Sequence, residues 1–380
     1  MIWVLTAGFG DGHNTAARCV GEALRRMLPN EPVVVTDLVS EAQPVVAEAL
    51  KAAYQLAITH VPSAWRAVYR LLENPKLAGD NWLQAPLKQA LVKGLETNRP
   101  RLIVSTYPFY SHLLSAVSDR SLVPKLVTVV TDSTSVHPIW TSAPSDLFCV
   151  SDVETDEVLK QQSVPAEKIR VTGFPVDLSF ADPLPSVAAS GTAQRILYLP
   201  STPARTVAAT LEALRPLLNS GVKLTIPAGR QWKRLYHTLR RFDDSLQPGQ
   251  MEVIGWTQQM PQLLRTHDVI ICKAGGAILH EVLAAQTPAV IDYVVPGQEE
   301  GNAAYLVSRN CGVRTRTPAE TANEVRRLLA NNGAVAVEMQ QNMIPVSIPD
   351  AARRTAEAAL HCLTTNVLLD SPNAPALHSV

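Results

Sequence analysis

The sequence has few cysteines, and those it has are far apart. Its five cysteines form no C-x-x-C pair and have no metal-ligand spacing with the nine histidines. This pattern argues against a disulfide framework or a zinc module, and it predicts a protein of the reducing cytoplasm. No apolar run reaches the ~18 residues of a membrane-spanning helix. The first strand-like run starts at Ile2, so we also expect no signal peptide.

The sequence also lacks an excess of charge of either sign. Its 34 Lys and Arg residues balance 34 Asp and Glu residues. No overall field therefore favours a polyanionic partner, and we predict no binding to nucleic acid. Charged residues make up 18% of the chain and hydrophobic residues 46%, which is typical of a globular protein. With 380 residues the chain is long enough for two domains.

Short apolar runs alternate with helical patterns through the first half of the chain. The runs are Met1–Thr6, Val33–Thr36, Leu102–Ser105, Lys125–Thr131 and Leu147–Val150. The clearest helical pattern between them covers Asn14–Leu28 and ends before Pro29. Runs of this kind are typical of parallel sheets that helices cover on both faces. The pattern predicts a βαβ series.

A second series follows the segment "SFADPLPSVAASGTAQR", which has no periodicity and reads as a linker. Its runs are Ile196–Leu199, Val222–Ile226, Glu252–Ile254, Val269–Ile271 and Ala289–Ile291. We predict an α/β fold of two Rossmann-like domains facing across a cleft. The predicted parts are a first domain over 1–180, a linker over 181–195, a second domain over 196–350, a helix over 351–363 and a flexible tail over 364–380.

The first strand runs into the glycine-rich stretch "TAGFGDGHN". A G-x-G-x-x-G loop after a strand would bind a dinucleotide, and Asp37 at the end of the next run could hold its ribose. His13 stands where the third glycine should be, and its bulk argues against that interpretation. Near a helix start its pKa is lowered, which suits a general base at the carboxyl edge of the sheet. A histidine that only caps the helix is the alternative, although Asn14 is the better cap.

A second group of candidate residues lies in "KAGGAILHE" and "PGQEEGN". Gly275 and Gly276 follow the Val269–Ile271 run and open a helix, and the free N–H groups of a helix start bind phosphate. Glu281 lies one turn further on, where a carboxylate could accept from two ribose hydroxyls. The amide and carboxylate groups of "PGQEEGN" could form hydrogen bonds with sugar hydroxyls. Taken alone, the glycines could form an ordinary turn and the glutamate could be solvated.

Six motifs, in this order, carry a resemblance to a known family: "TAGFGDGH", "TDSTSVHPIW", "VTGFPV", "GWTQQMPQLL", "KAGGAILHE" and "PGQEEGN". Over about Met1 to Leu363, their combination resembles the diacylglycerol glycosyltransferases related to monogalactosyldiacylglycerol synthase. The resemblance implies a GT-B fold and transfer of a hexose from UDP-glucose or UDP-galactose to a hydroxyl of diacylglycerol. It also implies inversion at the anomeric carbon, no metal or other cofactor, and a cytoplasmic enzyme peripheral at the inner face of the membrane.

The resemblance also implies roles for individual residues. His13 would deprotonate the acceptor hydroxyl, and the glycine helix start would neutralise the leaving diphosphate. Asp132 is the second catalytic candidate, since it could orient His13 or His137; capping the loop after its strand is the alternative. The expected donor-binding residues are Gly12, Arg230, Trp256, Thr257, Lys273, Gly275, Gly276, Glu281, Gly297, Gln298, Glu299 and Asn302.

One loop departs from the family pattern. The first strand of the second domain commonly leads into a glycine-bearing loop, whereas this chain has "LPSTPARTV", in which Pro200 and Pro203 remove N–H donors. The hydroxyls of Ser201 and Thr202 could compensate. Three classes of function stay open: a lipid glycosyltransferase or one with another acceptor, an NAD-linked or nucleotide-sugar-modifying enzyme, and a weakened nucleotide-sugar-binding protein, the class that this loop favours.

The predicted acceptor surface is a segment rich in tryptophan and basic residues. Trp65 and Trp82 stand in it with Arg66 and Arg70, a combination that suits an interfacial surface on an anionic membrane. An amphipathic helix packed on its own sheet has the same pattern. The family resemblance favours the membrane.

Overall fold

The computed structural model describes residues 1–8, 11–45, 47–49, 85–133, 136–183, 193–296 and 299–365, without the side chains of residues 11, 230 and 365. Some of the predicted site residues lie outside this description. They are the membrane residues Trp65, Arg66, Arg70 and Trp82, the donor residues Gly297 and Gln298, and the side chain of Arg230.

The first domain is built on a six-stranded parallel sheet with the strand order β2-β1-β3-β4-β5-β6. Its strands are β1 (Ile2–Thr6), β2 (Val33–Asp37), β3 (Leu102–Ser105), β4 (Lys125–Val129), β5 (Leu147–Val150) and β6 (Ile169–Val171). Its helices are α1 (Asp11–Met27), α2 (Leu38–Ala42), α3 (Ala85–Asn98), α4 (Phe109–Ser115) and α5 (Val153–Gln161).

The second domain has a six-stranded parallel sheet with the order β12-β11-β10-β7-β8-β9. Its strands are β7 (Arg195–Tyr198), β8 (Lys223–Pro227), β9 (Met251–Ile254), β10 (Val269–Lys273), β11 (Ala289–Tyr293) and β12 (Gly312–Arg314). The helices from here on are α6 (Ala204–Asn219), α7 (Trp232–Asp243), α8 (Met260–Thr266), α9 (Gly276–Ala285), α10 (Glu300–Ser308), α11 (Pro318–Leu329), α12 (Ala334–Met343) and α13 (Ala351–Thr365).

Alternation along the strands divides the core of the first domain into two layers. In β1, Ile2 and Val4 pack into one apolar cluster and Trp3 and Leu5 pack into another. Successive side chains of a strand point to opposite faces, so a sheet with helices on both sides buries every residue of such a strand. This explains why β1 reads as a continuous apolar run, and all five of its residues are buried.

The last helix returns to the first domain. Ala352, Ala356 and Ala359 of α13 belong to the apolar cluster that α1 forms with the first sheet. Thr355 Oγ1 donates to Thr172 Oγ1 over 2.9 Å, and this contact is buried. The predicted helix over 351–363 is therefore present, continues to Thr365, and joins the end of the chain to the domain in which it began.

The strand orders locate the positions where ligands bind in such folds. The second sheet has the Rossmann order 3-2-1-4-5-6, and the first begins 2-1-3-4-5, as in flavodoxin-like sheets. In both types, ligands bind outside the carboxyl ends of the strands where the order reverses. That point lies between β1 and β3 in the first domain and between β7 and β10 in the second. The predicted pair of parallel α/β domains is confirmed.

Candidate active site

His13 lies in the first turn of α1, directly after β1. The helix begins at Asp11, three residues before the predicted start, so the prediction that Asn14 caps it is wrong. Asn14 instead accepts a hydrogen bond from Thr6 at the end of β1, with 3.0 Å between Oγ1 and Oδ1. This bond ties the first turn of α1, which carries His13, to the end of β1.

The Nδ1 atom of His13 is held by the ends of two neighbouring strands. It lies 2.7 Å from the carbonyl oxygen of Thr106, which follows β3, and 2.8 Å from Oγ1 of Thr131, which follows β4. A carbonyl oxygen can only accept, so Nδ1 carries the proton in this arrangement. The lone pair is therefore on Nε2, the nitrogen that a general base needs free.

Aromatic rings surround the imidazole. The ring centroid of Tyr107 lies 5.2 Å away in an edge-on arrangement, and that of Trp140 lies 6.0 Å away. Burial lowers the pKa of His13, and the charge of Asp132 and the bond to Thr106 oppose this shift only in part. The lowering of this pKa agrees with the sequence prediction, but its main cause is burial of the imidazole and not the helix end. The imidazole is therefore neutral at neutral pH.

Asp132 lies next to the residue that contacts His13. Its Oδ2 accepts from Nε1 of Trp140 over 2.8 Å and from the backbone N–H of His137 over 3.4 Å. The carboxylate thus anchors the loop after β4, the alternative role considered for it. It acts on His13 through its charge, which raises the pKa of the imidazole against the larger effect of burial. Its catalytic role stays a prediction.

The carboxylate of Asp37 is used within the first domain. Its Oδ2 accepts from the backbone N–H of Gly8 over 3.1 Å, and its Oδ1 accepts from the backbone N–H of Ser40, capping α2. A ribose-binding acid would have to give up these bonds. In the first turn of α1, no atom of the described residues lies within 4 Å of where a Cβ on Gly12 would stand.

The second half of the site is the start of α9. The helix begins at Gly276, with Gly275 as its N-cap, and a glycine cap supplies no side-chain acceptor to the first-turn N–H groups. Asn302 Nδ2 donates to the carbonyl of Ala274 over 3.1 Å and so holds the turn in place. A helix start of this kind is a ready site for a phosphate.

Two of the predicted donor residues pair with each other. Lys273 forms a salt bridge with Glu299, whose second carboxylate oxygen accepts from the backbone N–H of Val295 over 3.0 Å. Glu299 is buried, while the Lys273 side chain is about a third exposed, at 34%. The pair is neutral overall, and it holds the Lys273 ammonium beside Gly275.

The two halves meet at Thr131. A Cβ added at Gly276 would lie 3.6 Å from the carbonyl oxygen of Thr131 and 3.8 Å from Nδ2 of Asn302. The hydroxyl of the same threonine contacts His13. One residue of the first domain therefore contacts the candidate base and lies beside the start of the candidate phosphate-binding helix.

The remaining predicted donor residues include Glu281, which is half-buried in α9. Its charge acts on Arg18 of α1. Burial works to lower the pKa of Arg18, but the surrounding groups, including Asp177 and Glu281, outweigh burial and raise this pKa. Trp256, in the loop after β9, is 68% exposed. In the same loop Thr257 accepts from the backbone N–H of Gln259 over 3.0 Å.

Three site residues were not anticipated from the sequence. Thr106 and Thr131 hold His13, and Arg234 at the start of α7 donates to the carbonyl of Thr202 over 2.8 Å. That bond fixes the proline-flanked loop after β7, where the Thr202 hydroxyl is buried, with no hydrogen-bond partner of good geometry in the described part of the chain. For Thr106 and Thr131, the sequence offered one signal of a site role, which is their position after a strand at the carboxyl edge of the first sheet.

Two features are absent from the residues that the structure describes. No helix among them is long and apolar enough to cross a bilayer. No group of three or more His, Cys, Asp or Glu side chains in the same residues is placed to hold a metal ion.

Two protein families match successive parts of the chain. Residues 13–176 match the monogalactosyldiacylglycerol (MGDG) synthase family, and residues 201–354 match the glycosyltransferase family 28 C-terminal domain. The first match contains His13 and Thr131, and the second contains the glycine turn and Glu281. The boundary between the two matches falls at the predicted linker.

Solved structures share the fold. MurG of Acinetobacter baumannii aligns with 95% of this chain and 99% of its own at a TM-score of 0.57 and 15% identity. A UDP-N-acetylglucosamine 2-epimerase aligns with 100% of this chain and 99% of its own at a TM-score of 0.61 and 12% identity. At these identities the likeness shows the GT-B fold alone, and that fold serves a transferase and an epimerase alike.

Curated relatives match over nearly the whole chain. The processive diacylglycerol beta-glucosyltransferase of Bacillus cytotoxicus is 25% identical over 98% of this chain and 97% of its own length. The probable monogalactosyldiacylglycerol synthase of Nicotiana tabacum is 25% identical over 92% of this chain and 68% of its own. With these relatives and the GT-B fold, the chain is a glycosyltransferase that combines a monogalactosyldiacylglycerol synthase domain with a glycosyltransferase family 28 C-terminal domain.

Proposed function

We propose that this glycosyltransferase moves a hexose from a UDP-sugar to a hydroxyl of diacylglycerol, with inversion at the anomeric carbon. The observation that carries the proposal is the position of Thr131, which contacts His13 through its hydroxyl and faces Gly276 through its carbonyl. A base and an anion-stabilising helix start on opposite sides of one residue are the two groups that a direct displacement needs.

His13 removes the acceptor proton. Its Nδ1 proton is directed at Thr106, so Nε2 presents a lone pair to the acceptor hydroxyl. As the hydroxyl oxygen forms its bond to the anomeric carbon, its proton passes to Nε2. The lowered pKa of His13 keeps the base neutral and ready at the pH of a cytoplasm.

The start of α9 stabilises the leaving group. The bond between the anomeric carbon and the diphosphate oxygen breaks, and UDP departs with the electron pair. The N–H groups after Gly275 and the positive end of the helix dipole face the developing charge, and the ammonium of Lys273, paired with Glu299, lies beside them. This arrangement performs the task of a metal ion with groups of the chain itself, and we propose that no cofactor takes part.

The donor is held by residues of the second domain. We place the ribose at Glu281, whose carboxylate can accept from both hydroxyls, and the uracil at the loop of Trp256 and Thr257. The hexose, glucose or galactose, would meet the "PGQEEGN" loop, where Glu299 and Asn302 are already fixed by bonds to Val295 and Ala274. Gln298 and Gly297 of that loop stay sequence predictions.

The acceptor assignment depends on the relatives, whose names state a diacylglycerol glucosyltransferase and a monogalactosyldiacylglycerol synthase. A diacylglycerol acceptor lies in a bilayer, so the enzyme must work at a membrane surface. We propose that Trp65 and Trp82, with Arg66 and Arg70, hold it at the anionic inner face.

A donor screen tests the proposed function. The purified chain is incubated with UDP-glucose, UDP-galactose or UDP-N-acetylglucosamine and vesicles containing diacylglycerol, and the lipid products are read by mass. We expect a hexosyl-diacylglycerol from one UDP-hexose, with the anomeric configuration inverted by NMR. Binding of UDP without any product would contradict transfer and support the weakened binding protein, while conversion of the donor sugar without acceptor would support an epimerase-like enzyme.

A further inference from the structure

His280 joins the two domains beside the site, and none of the roles above uses it. It lies in α9, four residues after Gly276. Its Nε2 lies 2.8 Å from Oγ of Ser133 in the first domain. Ser133 follows Thr131 by two residues, so α9 meets the same short segment twice: its first turn faces Thr131 and its second turn binds Ser133.

The direction of the hydrogen bonds in this contact follows from counting protons. Ser151 Oγ donates its one proton to Oδ2 of Asp152 over 2.6 Å. In the 3.0 Å contact between Ser133 Oγ and Ser151 Oγ, Ser133 must therefore be the donor. With its own proton used, Ser133 can only accept from His280, so Nε2 of His280 carries a proton.

A continuous chain of donors thus runs from the second domain to a carboxylate of the first: His280, Ser133, Ser151 and Asp152. Burial lowers the pKa of His280 to about 4, against the raising effect of Asp152, so the imidazole is neutral at neutral pH. Its ring stacks on Phe174, with centroids 4.9 Å apart and planes within 4°. The imidazole is therefore fixed in position, orientation and tautomer.

We infer that His280 is a positioning residue, which sets the distance between the start of α9 and the segment that holds His13. This inference rests on the proposed function. If the His280 bond is lost, α9 keeps its own N–H groups and can still bind UDP. The start of α9 is then no longer held at a fixed distance from Thr131. Displacements of about 1 Å between reacting groups cost on the order of 10²-fold in rate.

The variants are chosen to separate the hydrogen bond from packing. His280→Leu keeps an apolar side chain against Phe174 and removes the donor, whereas His280→Gln keeps an amide N–H that can reach Ser133. Ser133→Ala removes the acceptor with a smaller change. His267→Leu is the matched control, because this histidine makes a comparable 2.9 Å contact from Nε2 to Thr225 Oγ1 within the second domain.

The kinetic test compares kcat with the Kd for UDP. We expect His280→Leu and Ser133→Ala to lower kcat by roughly 10- to 100-fold, with the Kd for UDP within about twofold of wild type. His280→Gln should recover most of kcat, and His267→Leu should affect thermal stability without affecting kcat. A kcat within twofold of wild type in His280→Leu or in Ser133→Ala would overturn the inference, as would an equal loss in His280→Gln.

A second measurement does not require transfer. In protein labelled with ¹⁵N-histidine, the ring signals of His280 are assigned by their loss in His280→Gln. We expect the Nε2–H tautomer in the wild type and a shifted signal in Ser133→Ala. The Nδ1–H tautomer in the wild type would overturn the donor chain even if transfer is normal. Absence of transfer in the wild type, with the expected tautomer, would instead count against the proposed function.

Discussion

The hydroxyl oxygen of Thr131 lies 2.8 Å from Nδ1 of His13. Nδ1 also has the carbonyl of Thr106 within 2.7 Å, so two oxygens from the ends of adjacent strands fix the ring. Neither contact involves a carboxylate, which differs from the familiar arrangement in which an acid orients the catalytic histidine. The base is positioned here by the edge of the sheet itself.

Replacing Thr131 tests this contact. Thr131→Val keeps the shape of the side chain and removes the hydroxyl, which should lower kcat by roughly 2- to 10-fold, the equivalent of one neutral hydrogen bond. Thr131→Ser keeps the hydroxyl and is the matched control, with a kcat near that of wild type. Equal rates for the valine and serine variants would show that the hydroxyl does not orient His13.

Glu281 tests the proposed ribose contact. Glu281→Ala removes charge-assisted hydrogen bonds worth about 1.5 to 3 kcal/mol, and we expect UDP affinity to fall by roughly 10- to 100-fold in calorimetry. Glu338→Ala, at an exposed position of α12, provides a control in which affinity should not change. Unchanged UDP affinity in a folded Glu281→Ala protein would remove this residue from the donor site.

Asp292 at the end of β11 predicts a pH dependence of stability. Both of its carboxylate oxygens are buried, with no hydrogen-bond partner of good geometry among the described residues, and burial raises its pKa to about 7 against the lowering effect of the nearby Tyr198 hydroxyl. Between about pH 4 and pH 7 the folded protein keeps this proton while the unfolded chain releases it, so this group lowers stability as pH rises through that window. Below about pH 4 Asp292 is protonated in both the folded and the unfolded chain, so it no longer changes stability with pH.

The test for Asp292 is the Asn variant. Asp292→Asn removes the charge, and we expect it to be more stable than wild type at pH 8 by about 1 to 3 kcal/mol. At pH 4.5 the two proteins should be nearly equal, as measured by urea unfolding. A stability difference that is the same at both pH values would show that titration of Asp292 is not its cause.

Vesicle sedimentation tests the predicted membrane surface. Basic residues near an anionic surface contribute ~1 kcal/mol each, and this attraction is screened by salt. We expect binding that rises with anionic lipid and falls with salt, and Trp65→Ala or Trp82→Ala should weaken the part that persists at high salt. Trp232→Ala, which removes an exposed ring of α7, is the control. Equal recovery with neutral and anionic vesicles, unaffected by Trp65→Ala or Trp82→Ala, would assign these residues to the protein core.

The sequence was most informative for strands that are buried on both faces. Central strands such as β3 and β5 have the predicted bounds, because a strand covered by helices on both sides must be continuously apolar. The two strands that were not predicted, β6 and β12, are three-residue strands at sheet edges. An edge strand is only partly buried, so it carries little of that signal.

For the site, the two loops could be identified from the sequence, but the residues through which they contact each other could not. His13 and the Gly275–Gly276 turn stand out by composition, whereas Thr131 and His280 are ordinary residues in the sequence. Their importance comes from contacts between residues more than 100 positions apart, and no local pattern encodes such distances. The helix start at Asp11 was placed too late, since two glycines nearby obscured it.

The most direct test of the account is transfer by His13→Ala, measured together with UDP binding. If Nε2 of His13 is the base, the rate of glycolipid formation from the preferred UDP-hexose should fall by ~10²- to 10⁴-fold, while the Kd for UDP stays within about twofold. In the wild type, kcat/KM should fall on the acid side with a midpoint below the usual histidine value of ~6.5, because burial lowers the pKa of His13. Transfer by His13→Ala within a few-fold of the wild-type rate would contradict the account.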